Sequence, residues 1–103
     1  MLTIHRDMNE STGHAKVAIT GSADLAAADQ FQLAMNLLVA ARPKHLEFDL
    51  AGLAFICSLS IGALVTVQMT LRAEGSTMVL RNVQPLIHQC LNHSRLNEVF
   101  KIE

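Results

Sequence analysis

Apolar and polar positions change period several times along this chain, and each change marks an element. Leu2, Ile4 and Met8 fall at even spacing before the polar, glycine-containing stretch 9–14, which predicts a strand and then a turn. Ala15, Val17 and Ile19 alternate with Lys16, Ala18 and Thr20, so a second strand comes next and the two form a hairpin. Gly21 and Ser22 end that strand, and Asp24 is placed as the N-cap of a helix over 25–41. Phe31, Ala34, Met35 and Leu38 form its inward stripe, and Pro43 stops it by disfavouring helical geometry in the residue before.

The stretch 45–75 organises the rest. Leu46, Phe48 and Leu50 alternate with polar residues as in a strand with one buried face, whereas Leu64, Val67, Gln68 and Leu71 recur at helical spacing. Between them, residues 56–62 form a strand-to-helix turn. Gly62 and Ala63 are small enough to bring the first helical turn close to the sheet, and Ser58 or Ser60 is suited to cap its free N–H groups. Gly75 stops this helix, and 77–80 make a fourth strand. Pro85 opens a short helix whose buried stripe is Leu86, Ile87, Cys90 and Leu91. Leu96, Val99, Phe100 and Ile102 pack a terminal segment that is a candidate short strand. The order β-β-α-β-α-β-α-(β) predicts a single α/β domain over 1–103, with a mixed central sheet of four to five strands and helices packed on it. The strand–helix–strand unit is a right-handed crossover between parallel neighbours.

Composition removes several functions. With 103 residues there is room for one core, and no apolar run reaches the roughly 20 residues that span a bilayer. Charges at Arg6 and Asp7 interrupt any secretion signal, so a cytoplasmic location is expected. Eight basic and nine acidic residues leave a net charge of -1, and Trp and Tyr are absent, which argues against nucleic acid. Cys57 and Cys90 read as two buried thiols rather than a disulfide, although a cysteine at a helix N-terminus can also be reactive with a lowered pKa. His88, Cys90 and His93 lack the paired spacing of a zinc site, so no metal or cofactor is expected. No glycine-rich phosphate loop or nucleophile elbow is present, which favours a binding module over an enzyme.

Four segments, in order, resemble one family. Residues 20–24 (Thr-Gly-Ser-Ala-Asp) are similar to a Gly-Glu-Leu-Asp approach to the first helix, with Gly21 and Asp24 matching. Residues 47–56 resemble the same family's strand and loop before its signature, and 83–85 and 96–100 its closing helix and tail. The family is the STAS domains, and within it the bacterial anti-sigma factor antagonists. Its signature is Asp-Ser-Ser-Gly-Leu-Gly, and the corresponding residues here are Cys57, Ser58, Leu59, Ser60, Ile61 and Gly62. Ser58 and Gly62 are kept; Cys57, Leu59 and Ser60 depart.

The resemblance implies a regulatory protein whose partner is an anti-sigma factor or a related serine kinase. Ser58 is the implied phosphoacceptor, and Asp24, Cys57, Ser58, Leu59, Ser60, Ile61 and Gly62 are the implied partner-binding residues. STAS domains also serve as accessory subunits of membrane transporters. Two further alternatives are a phosphorylation-independent scaffold and a small-molecule or lipid binder with Leu59 and Ile61 lining its pocket. The oligomeric state stays open.

Overall fold

The hairpin forms as the alternation demands. In the computed structural model, which describes every residue from Met1 to Glu103, β1 (Leu2–Asn9) runs antiparallel to β2 (His14–Ala23). Asn9 closes the turn between them: its Oδ1 accepts from the Ser11 N–H at 3.0 Å, and its carbonyl accepts from Gly13 at 2.8 Å. Strand β2 continues through Gly21 and Ser22 instead of ending there. Gly21 has φ +97°, and a Cβ on it would collide with the Met1 carbonyl, so glycine is what lets the two strands stay paired to the end.

The first helix begins later than its composition predicts. Asp24 takes the Ala27 N–H on both its carbonyl and its Oδ1, which closes a tight 3-10 turn over Leu25–Ala27 before α1 (Ala28–Ala40). Phe31, Met35 and Leu38 of α1 are buried, and Ala34 packs beside them half-buried. Arg42, at φ +51°, and Pro43 end the helix and turn the chain into β3 (His45–Ile56).

Strand β3 is twice the expected length. Paired in parallel with β2, it takes one extra residue between Asp49 and Gly52 and another between Leu53 and Phe55. Each bulge shifts the alternation by one residue, so Leu50, Leu53 and Ile56 all face the core at three-residue spacing. A strict two-residue period therefore loses the strand after Leu50.

Helix α2 (Ser58–Ala73), β4 (Thr77–Arg81) and α3 (Pro85–His93) complete the sheet order β1-β2-β3-β4, with β4 parallel to β3. The tail forms a 3-10 turn at Leu96–Glu98 and a single parallel bridge from Ile102 to Leu80, so the fifth strand is reduced to one bridge. Leu86 lies half-exposed, because the short α3 buries only Ile87 and Leu91. One core of 22 residues joins the inner sheet face to the buried stripes of all three helices. The other face is polar. There Glu47 bonds Arg81 and Lys16 on its neighbouring strands, and Asp49 accepts from the side chain of Asn82.

Candidate functional site

The two parallel strands β2 and β3 end side by side, and the site is built on the residues just beyond their ends. Ala23 pairs with Ile56, and the Cys57 N–H donates to the Ala23 carbonyl at 2.8 Å. Asp24 and Leu25 therefore leave the sheet next to Cys57, Ser58 and Leu59. Ile56 is buried and anchors this end of the sheet, while Cys57 has extended geometry (φ -85°, ψ 166°) and is the N-cap of α2. Its carbonyl accepts the first helical bond, from Ile61, at 3.0 Å.

Cys57, rather than a serine, holds the cap position. The Cys57 thiol lies 3.5 Å from the Ser60 Oγ. The Ser60 hydroxyl is the main influence that holds the thiol below its ordinary pKa, and the Ser60 and Leu59 N–H groups at the start of the helix act in the same direction against partial burial. No acidic residue lies in the first turn of α2, so the positive end of the helix dipole faces this thiol without a carboxylate of its own.

The six residues of the signature do not share one surface. Ser58 and Gly62 are exposed, Cys57 and Ile61 are half-buried, and Leu59 is 61% exposed. Ser60 is 1% exposed and turned into the core, which removes it from the expected partner-contact set. The reason is helical geometry: Ser60, Leu64, Val67 and Leu71 form one stripe at spacings of four, three and four, and that stripe faces the sheet. Gly62 does not allow a close approach either, since a Cβ there would meet nothing within 4 Å. Ala63 is the small residue that packs inward. Asp24 is half-buried, and its carboxylate is used in capping Ala27.

Two exposed apolar residues at this end escaped the sequence pattern: Leu25, 72% exposed, and Phe55, 43% exposed. Leu25 lies outside the stripe of α1, which is the one signal that could have flagged it. Phe55 could not be placed without knowing the second bulge. Asp49 lies seven positions before Ile56 on the polar face, where the Ala51 N–H and then the Asn82 amide hold it below the usual carboxylate range.

The four surface cavities open elsewhere, and none is lined by Leu59 or Ile61. Cys57 and Cys90 are both free thiols. No cluster of three potential metal ligands is present, and no helix is long and apolar enough to cross a membrane.

A family model described as Mlab, STAS domain matches residues 7–102. No curated protein matches the chain. Among solved structures, an anti-sigma factor antagonist from Mycobacterium paratuberculosis superposes with a TM-score of 0.83 at 22% identity, covering 99% of this chain and 85% of the other. The Bacillus cell fate determinant SpoIIAA in its phosphorylated form gives 0.73 at 16% identity, covering 98% and 91%. A sulfate transporter family protein from Wolinella succinogenes gives 0.72 at 17%, covering 93% and 79%. At these identities the likeness is one of fold.

Proposed function

We propose that this chain, which belongs to the STAS domain family, is a regulatory module that docks a protein partner through the start of α2. The observation that carries this reading is Leu59. It stands 61% exposed on the first turn of the helix, beside the exposed Ser58 and at the same end of the sheet as Leu25 and Phe55. Exposed apolar side chains at the end of the sheet where a helix starts are the kind of surface that a partner covers. Asp24, Cys57, Ile61 and Gly62 flank it and complete the docking face.

The partner is an anti-sigma factor or a related serine kinase, and Ser58 is the phosphoacceptor. Support comes from the serine retained at the acceptor position, and from neighbours in fold that are anti-sigma factor antagonists, one of them in a phosphorylated form. Asp24 is occupied in capping Ala27, and no carboxylate sits in the first turn of α2, so the hydroxyl of Ser58 is left to a partner's chemistry in this reading. A phosphate there adds about -1.5 to -2 charges. The free N–H groups of the helix start tolerate that charge locally, but a partner closing over Leu59 must bury it. A loss of roughly 3 kcal/mol corresponds to more than a hundredfold in affinity, which is enough to release most partners.

A second reading is an accessory subunit of a transporter, favoured by the sulfate transporter family neighbour in fold. It uses the same docking face without the phosphate. Incubation with candidate serine kinases and ATP, followed by mapping of phosphate by mass spectrometry, separates the two. Phosphate on Ser58, absent in Ser58→Ala, supports the switch; phosphate elsewhere, or capture of the partner unchanged by Ser58→Glu, removes it. Co-purification with a transporter ATPase or permease, lost in Leu59→Asp, supports the second reading.

A further inference from the structure

The two edges of the sheet are finished differently. At β4 the tail lies alongside, with Leu80 donating to the Lys101 carbonyl and accepting from Glu103, both at 2.9 Å. At β1 nothing lies alongside. Ser22 donates to the Met1 carbonyl at 3.1 Å, which makes Met1 and Ser22 a hydrogen-bonded pair and fixes the alternation along the strand. Thr3, His5 and Asp7 therefore turn their backbone groups inward to β2, and Leu2, Ile4, Arg6 and Met8 turn theirs outward. The Leu2 carbonyl is taken by the Gln30 Nε2 at 3.0 Å. The N–H and carbonyl groups of Ile4, Arg6 and Met8 stay open, a template for another strand.

Helix α1 continues this edge as an uncharged surface. From Gln30 to Ala41 the chain has no charged residue, although one side of the helix faces solvent. Leu33 and Leu37, one turn apart on that side, are 60% and 56% exposed. A groove of about 150 Å³ lined by Ile4, Arg6, Ala34, Leu37 and Leu38 joins the helix to the strand.

The charges on β1 decide which strand fits. The open segment from Ile4 to Met8 is centred on Arg6, and an antiparallel copy that pairs over all of it sets residue 4 opposite 8 and residue 5 opposite 7. Ile4 then meets Met8 of the other copy on the helix side, and His5 meets Asp7 on the polar side, each contact occurring twice. Asp7 has no ion pair within its own chain to give up. The two Arg6 side chains meet on the axis, and their repulsion weakens the pair without removing it.

We infer that the β1 edge and the outer face of α1 are a homodimer surface, where two copies join antiparallel across a twofold axis at Arg6 into one continuous sheet. The surface does not depend on what docks at the start of α2.

The test is sedimentation velocity on the full chain over a wide range of concentration, with amide hydrogen exchange on the same samples. A shift from monomer towards dimer is expected, with the Ile4, Arg6 and Met8 amides gaining protection as concentration rises and those of α3 unchanged. His5→Asp, which sets carboxylates against each other across the seam, weakens the dimer about tenfold, and His5→Asp combined with Asp7→His restores it. Arg6→Thr tightens it by about 2- to 5-fold. These side chains are exposed, so each variant keeps the parent Tm. A chain that stays monomeric throughout overturns the inference and leaves the edge to a strand of another protein. A dimer indifferent to the His5 and Asp7 exchange, or one lost in Leu59→Asp, overturns it as well.

Discussion

Leu59 and Leu64 are the same residue type on the same helix, and truncating each to alanine should have opposite consequences. Leu64 is 1% exposed within the core, and removing a leucine side chain from such a place costs about 2–5 kcal/mol in lost transfer energy and residual cavity. For a domain of this size each kcal/mol moves Tm by about 4–8 °C, so Leu64→Ala should lower Tm by roughly 10 °C or more. Leu59 is 61% exposed and gives up little on truncation, so Leu59→Ala should stay within about 0.5 kcal/mol of the parent. Docking reverses the order of importance. Fully burying a leucine is worth about 1.5–3 kcal/mol, and with 61% of the residue still available, a partner that covers it gains about 1–2 kcal/mol. Leu59→Ala should therefore weaken partner capture by roughly 5- to 20-fold at unchanged Tm. Thermal denaturation and a binding titration on the same preparations read both quantities. A Leu59→Ala protein that melts early, or that binds its partner as tightly as the parent, would refute the assignment of this residue to the docking face.

Other perturbations test separate parts of the structure. Arg81 holds Glu47 below the ordinary carboxylate range, with Lys16 assisting, and the Ala51 N–H and the Asn82 amide do the same for Asp49, so the unfolded chain takes up these protons at higher pH than the folded one. Their stabilisation is complete above the ordinary carboxylate values and is lost as pH falls through the lower folded values; urea midpoints from pH 6 to pH 3 should drop, and Asp49→Asn should flatten the acid limb. Because the Ser60 hydroxyl is the leading cause of the depressed Cys57 pKa, Ser60→Ala should slow alkylation of Cys57 by iodoacetamide near neutral pH, and an unchanged rate would discard that cause. Gly21→Ala should destabilise by about 1–3 kcal/mol through its left-handed backbone and the Met1 carbonyl, measured by chemical denaturation.

Element order and the inward stripes were legible because periodicity reports burial directly. Phe31, Met35 and Leu38, and again Leu64, Val67, Gln68 and Leu71, are buried as their spacing predicts. Strand β3 was legible only to Leu50, since a bulge is set by pairing with another strand and leaves no local period to read. The start of α1 was misplaced for a related reason. Ala26, Ala27 and Ala28 are good helix formers, but two bonds from Asp24 to Ala27 impose a tighter turn on the first three residues. The position of the junction was legible too, whereas the assignment of its surface was not. Ser60 and Ser58 look alike in the sequence, yet one lies on the stripe at Leu64 and Leu71 and the other does not.

The departures at the junction have a physical pattern. The resemblance places an acidic residue where Cys57 stands, and that place is the N-cap of α2, where a negative side chain meets the unpaired N–H groups of the first turn. A cysteine retains part of this capacity only if its thiolate is favoured. The Ser60 hydroxyl favours it from a position that the resemblance fills with glycine. Cys57 and Ser60 thus change together: one brings the weaker acid to the cap, and the other supplies the hydrogen bond that strengthens it. Leu59, between them, belongs to neither role and faces outward. An altered cap beneath an exposed Leu59 keeps the helix start in place while changing the surface it presents. Under the proposed function, the retained Ser58 is the position where partner choice and phosphate control would meet.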